Sequence, residues 1–505
     1  MRDGAGDGRA SWLWSACLLP FLVLVVARWR QLPSITEGDY AQYYLHATAL
    51  LQGRPYGDIG YIYTQYNPWL GPPTQPPGWP LTLVPLLAAV GPNMFAIKLL
   101  LVFMGVFLLV LAGMRIASSN GRAAAGAAVL MTGVALEAMN ASHSAISDLG
   151  FCAFAWAVIL AADRPGAWTA KRIALVTMLG LGVLSYRTAG AALIPAMLLF
   201  AVVRREGWRP VVPVVIWVLA GVVVLLKFRV GVTVLSAIPT SMDGVLFSVK
   251  ASARTYGVQG VSELLLYPFP WRLANIAYHA AALPLLGWGL ARSLWRERRT
   301  LMTSFFVVYV VMLIVVPVRE ERYLWPVMPI MALGFFDGLR ALLALRLPTA
   351  AAERATLASC GVLATAAMCV VLLRPPRETL FQHPEVRALF ARIAALPRTP
   401  TPRVVFVNPH VLTWETGVAA MPSFHATTTQ AMAEMRRRRI THVVLGDLGV
   451  APRLDSVLRR AVADSVQAFS PLYRDSVFQL FALRAPDTVG AAPVSNGTER
   501  AGAAR

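Results

Sequence analysis

The sequence predicts an α-helical polytopic membrane protein with a small α/β domain near its C-terminus. Three observations lead there. Of the 505 residues, 57% are apolar and 14% are charged, whereas soluble domains run nearer ~45–50% and ~25%. The apolar residues fall in long blocks, many close to the ~20 residues that cross a hydrocarbon core. After Leu373 the pattern changes, and short β-branched runs alternate with amphipathic segments.

The net charge of +20 is carried by short Arg clusters between apolar blocks, as a positive-inside bias requires. No basic helix with interleaved aromatics is present, so a nucleic-acid partner is not expected. Cys17, Cys152, Cys360 and Cys369 all lie inside apolar blocks and read as small buried hydrophobes. The first block, from Trp12 to Arg28, has no small-residue cleavage site after it and reads as a retained anchor.

Spans are expected at Trp12–Ala27, Asn93–Met114, Ala123–Met139, Leu149–Ala162, Ile173–Leu184 and Ala189–Val203. Further spans are expected at Pro210–Leu226, Leu273–Leu290, Leu301–Val318, Tyr323–Leu339 and Ala355–Leu373. That makes about eleven, with the N-terminus cytoplasmic and the C-terminal domain outside a bacterial inner membrane. Pro80–Val90 is apolar but short and carries Pro80 and Pro85. It reads as a surface or re-entrant helix, which keeps every later connection consistent. The expected transmembrane domain is 1–373, with long outer loops at 28–92 and 228–272. The Asp148 turn, Arg187 and the cluster Arg319–Arg322 fall on that same outer side.

A soluble domain is expected over 374–485 and a disordered tail over 486–505. Arg403–Asn408, Thr441–Asp447 and Val477–Leu483 read as strands, and Ala426–Arg439 and Leu454–Val466 as helices. This alternation predicts a parallel or mixed sheet. The sequon at Asn496 lies in the tail and reads as chance. No inverted repeat of the kind found in transporters is visible.

The first long loop holds the most chemistry. Glu37 and Asp39 stand two residues apart just after the first span, at the depth of a lipid-linked phosphate. A carboxylate there can act as general base on an acceptor hydroxyl or help hold a metal. Equally, Asp39 suits the N-cap of a helix over Tyr40–Leu51. Tyr40, Tyr43, Tyr44, Tyr56, Tyr61, Tyr63, Tyr66, Trp69 and Trp79 follow. Such rings stack on sugars, and they also form interfacial belts.

The order Glu37-x-Asp39-Tyr40, then Gly53-Arg54-Pro55-Tyr56, then Pro76-Pro77-Gly78-Trp79-Pro80 resembles the first outer loop of GT-C glycosyltransferases. The protein-mannosyltransferase and aminoarabinose-transferase group is the most similar branch. Ser147-Asp148, Ser185-Tyr186-Arg187 and Glu321-Arg322-Tyr323-Leu324-Trp325-Pro326 continue the likeness, which covers roughly Trp12 to Leu345. The resemblance implies a GT-C fold, with Asp39 as catalytic base and Glu37 as its neighbour. It implies a polyprenyl-phosphate sugar donor and an extracytoplasmic acceptor (envelope glycan, lipid or protein). One departure is Gln75, where the aminoarabinose branch has Lys before the Pro-Pro pair.

Arginines at membrane depth are costly unless paired or functional. Arg187, Arg319 and Arg322 suit the oxygens of a departing lipid phosphate, and Arg319 and Arg322 equally suit local pairing with Glu320 and Glu321. Glu37, Tyr40, Asp148, Arg187, Arg319, Arg322 and Tyr323 are the candidate substrate-binding residues, Asp148 also suiting a helix N-cap. His143, His279, His410 and His425 stand alone without metal-ligand spacing and read as structural. No cofactor is expected, and Glu37 with Asp39 leaves a divalent ion open. The enzymatic expectation is an inverting transfer to an acceptor hydroxyl. A flippase of lipid-linked saccharides, which would need charge at mid-membrane, and a non-catalytic scaffold are the other readings.

Overall fold

The computed structural model describes residues 13–31, 38–67, 71, 75–205, 207–228, 241–316, 319–374, 383–423, 427–446 and 452–484. Glu37, His425 and the tail with its sequon lie outside the described residues. The chain divides into two compact units. One is Met1–Ile59 with Trp69–His383, and the other is Gly60–Pro68 with Pro384–Arg505.

The first unit is helical. Its helices are α1 (Leu19–Ala27), α2 (Gly38–Leu51), α3 (Gly78–Val90), α4 (Met94–Asn120), α5 (Arg122–Ala138), α6 (Asp148–Asp163), α7 (Ala170–Tyr186), α8 (Leu193–Arg204) and α9 (Val211–Phe228). There follow α10 (Met242–Ser252), α11 (Val261–Leu265), α12 (Arg272–Arg296), α13 (Leu301–Val315), α14 (Met328–Leu343) and α15 (Thr349–Leu373). Their ends are written locally. Asn93 accepts from the amides of Phe95 and Ala96 at 3.0 and 3.2 Å and so caps α4, and Gly121 at φ 89° ends it. Thr169 and Thr300 cap α7 and α13 in the same way.

Among the described residues, three helices are long and apolar enough to cross a membrane: Met94–Asn120, Glu321–Leu343 and Thr349–Leu373. Five shorter apolar helices, Gly78–Val90 among them, have 10–17 residues. The count by length and composition is therefore smaller than the apolar runs suggest. Trp14–Ala27 and Thr188–Arg204 stay in the shorter class even with the 3₁₀ segments that open them.

Two packing devices order this unit. At one end of α6, Asp163 accepts from the amides of Leu301 and Met302 at 2.6 and 3.3 Å and from Arg115 at 2.7 Å. Arg115 also pairs with Glu297 at 2.9 Å. The four helix ends that meet there keep their buried charges paired, as a low dielectric demands. Elsewhere, α12 and α14 touch through glycines. A Cβ on Gly289 would lie 1.8 Å from the Gly334 carbonyl oxygen, and one on Gly338 would lie 2.0 Å from the Leu285 carbonyl oxygen. Small residues allow such close backbone approach.

The second unit is a five-stranded mixed sheet with its helices. Its strands are β1 (Arg403–Phe406), β2 (Ala419–Pro422), β3 (His442–Leu445), β4 (Phe469–Arg474) and β5 (Gln479–Leu483), in the order β2-β1-β3-β5-β4. β1 runs parallel to β2 and β3, and β5 is antiparallel to β3 and β4. The Val-rich interiors of β1 and β3 are buried, as a covered parallel centre requires. Sequence reading misses β2 and β4, since AAMP and FSPLYR carry Pro and no clean alternation. It also misses the source of one edge. Ile62 donates to the Ala420 carbonyl at 2.8 Å, and Ala420 donates to that of Gly60 at 3.0 Å. The stretch Gly60–Ile62 of the first long loop thus pairs with the outer edge of β2 at Ala420, and Ile62 enters the core beside Met421, Met435 and Leu458.

Glu434, on the helix Thr428–Arg437, accepts from Arg437 at 2.7 Å and Arg438 at 3.1 Å. Burial alone would raise its pKa, and those two arginines outweigh burial and hold the carboxyl below its ordinary value.

Two outcomes follow from this packing. Gly289→Ala, with its Cβ against backbone, lowers the melting temperature of the purified chain, since overpacking costs about 1–3 kcal/mol. Gly287→Ala, which meets nothing within 4 Å, leaves the melting temperature unchanged or raises it. Because the folded pKa of Glu434 is lowered, its pairs stabilise above the ordinary carboxylate range and that stability is lost as pH falls through the lowered value. Glu434→Gln therefore costs about 1 kcal/mol near neutrality, given that Arg437 is half exposed. The cost disappears in strong acid, as thermal melts across pH will register.

Candidate active site

Asp39 stands in the first turn of α2, a position that α1 and α4 prepare. Lys98, near the start of α4, donates to the carbonyls of Arg28, Trp29 and Gln31 at 3.3, 2.6 and 2.9 Å. It closes the C-terminal end of α1 with a cation, where the helix dipole favours one. α2 begins at Gly38. The Asp39 carboxylate is turned away from its own helix amides: Oδ2 pairs with Arg322 at 2.9 Å and Oδ1 accepts from Gln75 Nε2 at 3.2 Å. The N-cap reading of this residue does not describe its contacts.

Arg322 comes from the 3₁₀ turn Glu321–Val327 that precedes α14. Trp156 on α6 holds this turn by donating to the Pro326 carbonyl at 2.9 Å. Arg322 also pairs with Glu320, so the local pairing weighed for this arginine is present in half. Tyr323 lies beneath two guanidinium groups, Arg187 at 5.1 Å and Arg322 at 5.9 Å from its ring centre. Burial pushes the Glu320 carboxyl up, against the pull of Arg322.

Arg187 follows α7. Its guanidinium pairs with Asp148 at 3.2 Å and donates to Ser147 Oγ at 3.4 Å. Ser147 also bonds Tyr43 at 2.8 Å, and Tyr43 donates to Gln75 Oε1 at 2.7 Å. The segments meet because two glycines let them. A Cβ on Gly78 would lie 2.6 Å from Ser185, and one on Gly150 would lie 2.1 Å from the Tyr186 ring. Trp79 adds a bond to the Ala145 carbonyl at 3.3 Å and so fixes the turn that carries Ser147.

The expected site residues therefore separate. Asp39, Arg187, Arg322 and Tyr323 are brought together, and Asp148 joins them through Arg187. The Asp39 side chain is 25% exposed and reachable from outside, whereas that of Asp148 is 4% exposed and lies behind Arg187. Asp148 therefore contacts Arg187 and is closed to solvent, and Ser147 holds the N-cap position of α6. Tyr40 is not at the site. It is fully buried and its hydroxyl donates to Met94 Sδ at 2.9 Å, because it falls on the core face of α2. Arg319 is held by the second long loop: Ser248 and Ser252 on α10 accept from it at 2.8 and 3.1 Å. Glu37 lies outside the described residues.

Gln75, Tyr43 and Ser147 complete the polar cluster. Sequence reading met each of them, as a departure, an aromatic and half of a Ser-Asp pair, without assigning a role. Only the convergence of three segments distinguishes them. His143 is also paired, 3.6 Å from the buried carboxylate of Glu137. Among the described residues no three His, Cys, Asp or Glu side chains converge as metal ligands. The two Asp39 oxygens are engaged by a guanidinium and an amide N–H, donors that stand where a cation would bind. Glu37, the other carboxylate weighed for a divalent ion, lies outside the described residues.

The chain shares its fold with solved membrane-protein structures of low sequence identity. Two solved structures carry the likeness. ArnT from Cupriavidus metallidurans bound to undecaprenyl phosphate is 17% identical, with a TM-score of 0.58 over 95% of this chain and 98% of that one. The archaeal oligosaccharyltransferase AglB from Archaeoglobus fulgidus, in complex with an inhibitory peptide and a dolichol-phosphate, is 13% identical, with a TM-score of 0.53 over 86% of this chain and 69% of that one. No protein-family model and no curated protein sequence matches the chain.

Arg187→Ala leaves Asp148 as a buried carboxylate without its cation, a change that costs about 3–5 kcal/mol. We expect a large drop in melting temperature, and partial recovery in the Arg187→Ala/Asp148→Asn double variant, measured by thermal unfolding in detergent.

Proposed function

We propose that the protein is an inverting glycosyltransferase of a bacterial inner membrane. It moves a sugar from a polyprenyl-phosphate donor to an extracytoplasmic acceptor hydroxyl on a cell-envelope glycan, lipid or protein. In this reading the chain crosses the membrane about eleven times, with its N-terminus in the cytoplasm and its sheet unit outside. The observation that carries this reading is the partly exposed carboxylate of Asp39 beside two arginines that share the Tyr323 ring. The solved structures of this fold, one with undecaprenyl phosphate and one with dolichol-phosphate, support a lipid-linked donor.

In this reaction Asp39 takes the proton of the acceptor hydroxyl as its oxygen attacks the anomeric carbon. The bond from that carbon to the phosphate oxygen breaks, and the lipid phosphate leaves with the electron pair. Arg322 and Arg187 stabilise the charge that develops on it, with hydrogen-bond geometry suited to phosphate oxygens. A single displacement inverts the anomeric configuration. Asp148 and Glu320 keep the arginines in place and limit the net positive charge of the empty site.

The test is sugar transfer by purified, reconstituted protein with a panel of polyprenyl-phosphate sugars and envelope extract. Asp39→Asn, which keeps the side chain's size, lowers kcat by about 10²–10⁴ if Asp39 is the general base. Chelator leaves wild-type transfer unchanged. Full activity in folded Asp39→Asn, or passage of labelled lipid across the bilayer without donor consumption, overturns the proposal.

A further inference from the structure

The bonds around Gln75 have a direction. Its amide nitrogen donates to Asp39 Oδ1 at 3.2 Å, and its amide oxygen accepts from the Tyr43 hydroxyl at 2.7 Å. A flipped amide would set its carbonyl oxygen against the Asp39 carboxylate oxygen, two acceptors with no proton between them, so the carboxylate dictates this orientation. Tyr43 has one proton, and it is used on Gln75. Its 2.8 Å contact with Ser147 is therefore one in which Ser147 donates. Ser147 Oγ in turn accepts from Arg187 at 3.4 Å. Arg187, Ser147, Tyr43 and Gln75 thus form a row in which each donates to the next, ending on Asp39.

The row is held in place from behind. Tyr56 donates to the Gln75 carbonyl at 2.9 Å. His46 stacks on Tyr56 at 4.0 Å and contacts its carbonyl at 2.6 Å. Gln42 donates to the Gly71 carbonyl at 3.2 Å. Burial pushes the Tyr43 phenol up to about 12, so it remains a donor throughout the working range.

We propose that Gln75 is a positioning residue for sugar transfer: its amide ends a one-way row of donors from Arg187 and so holds the Asp39 carboxylate in place as the proton acceptor. The inference rests on the reading of Asp39 as general base. It explains the residue type at 75. Lys only donates and could not accept from Tyr43, Glu only accepts and could not donate to Asp39, and an amide does both in one plane. With Arg322 on Oδ2, the carboxylate is gripped at both oxygens, and a lone pair remains for the acceptor's proton.

The experiment is the pH dependence of kcat/KM for the reconstituted protein, whose acid limb reports the base in the free enzyme. Gln75→Leu removes one donor to a carboxylate and moves the acid limb up by about one pH unit or more, with kcat lowered. Gln75→Glu, which keeps size and the Tyr43 bond, moves it up further and stands in if the Leu variant does not fold. Tyr43→Phe shifts the limb in the same direction, and Gln75→Leu/Tyr43→Phe shifts it no further than Gln75→Leu, because the two act through one row. Additive shifts, or an unmoved limb with only KM changed, overturn the proposal. In the same assay, full transfer by Asp39→Asn overturns the reading beneath it. Inactive Asp39→Asn beside an unmoved Gln75→Leu limb overturns the positioning role alone.

Discussion

The ion pair between Asp39 and Arg322 joins residues 283 positions apart in the chain, and the site exists only where that pair closes. A largely buried carboxylate and guanidinium cannot stand alone, since each would bear a desolvation penalty without return. Pairing meets that requirement and leaves Asp39 the more exposed partner. The other charges obey the same constraint. Arg187 takes Asp148, Arg322 also takes Glu320, and the cluster Arg115–Asp163–Glu297 at the far end of α6 is closed in the same way. α6 carries Asp148 at one end and Asp163 at the other, so one helix registers the active end against the supporting one.

Packing then decides how near these charges can come. Gly78 and Gly150 admit Ser185 and Tyr186 at distances no side chain would allow. Trp79 and Trp156 spend their single N–H on carbonyls of the two turns that carry Ser147 and Arg322. The motif Pro76-Pro77-Gly78-Trp79 thus has a mechanical content. It begins α3, fits it against the end of α7 and ties down the turn before α6. The chemistry proposed for Asp39 depends on these unreactive residues because a misplacement of about 1 Å at a reacting centre can cost on the order of 10²-fold in rate.

The first long loop serves two structures at once. Its ends, at Asp39 and Gln75, belong to the helical unit, and Gly60–Pro68 belongs to the sheet unit. The β2 edge would otherwise present unpaired backbone groups, and a loop strand satisfies them. A segment that reads as a membrane-surface loop is therefore also an element of the sheet unit's core, through Ile62.

Sequence by itself determined the helical class, the locations of the apolar helices, the central strands β1 and β3, and which charged residues stand at the ends of apolar blocks. Each is written in local signals: hydropathy, β-branched runs, and charges placed at the ends of apolar blocks. Tertiary structure decided the rest. It put Asp39 against Arg322 and Gln75 instead of on its helix amides, sent Tyr40 into the core, and moved Asp148 behind Arg187. It also gave Gln75, Tyr43 and Ser147 their shared row and recruited Gly60–Pro68 to the sheet. None of these is local. A side chain's partner depends on which distant segments pack beside it, and the sequence near Gln75 holds no trace of Ser147 or Arg187. The physical reason is that buried charge and unpaired backbone must be satisfied wherever the chain brings a partner, however remote in sequence.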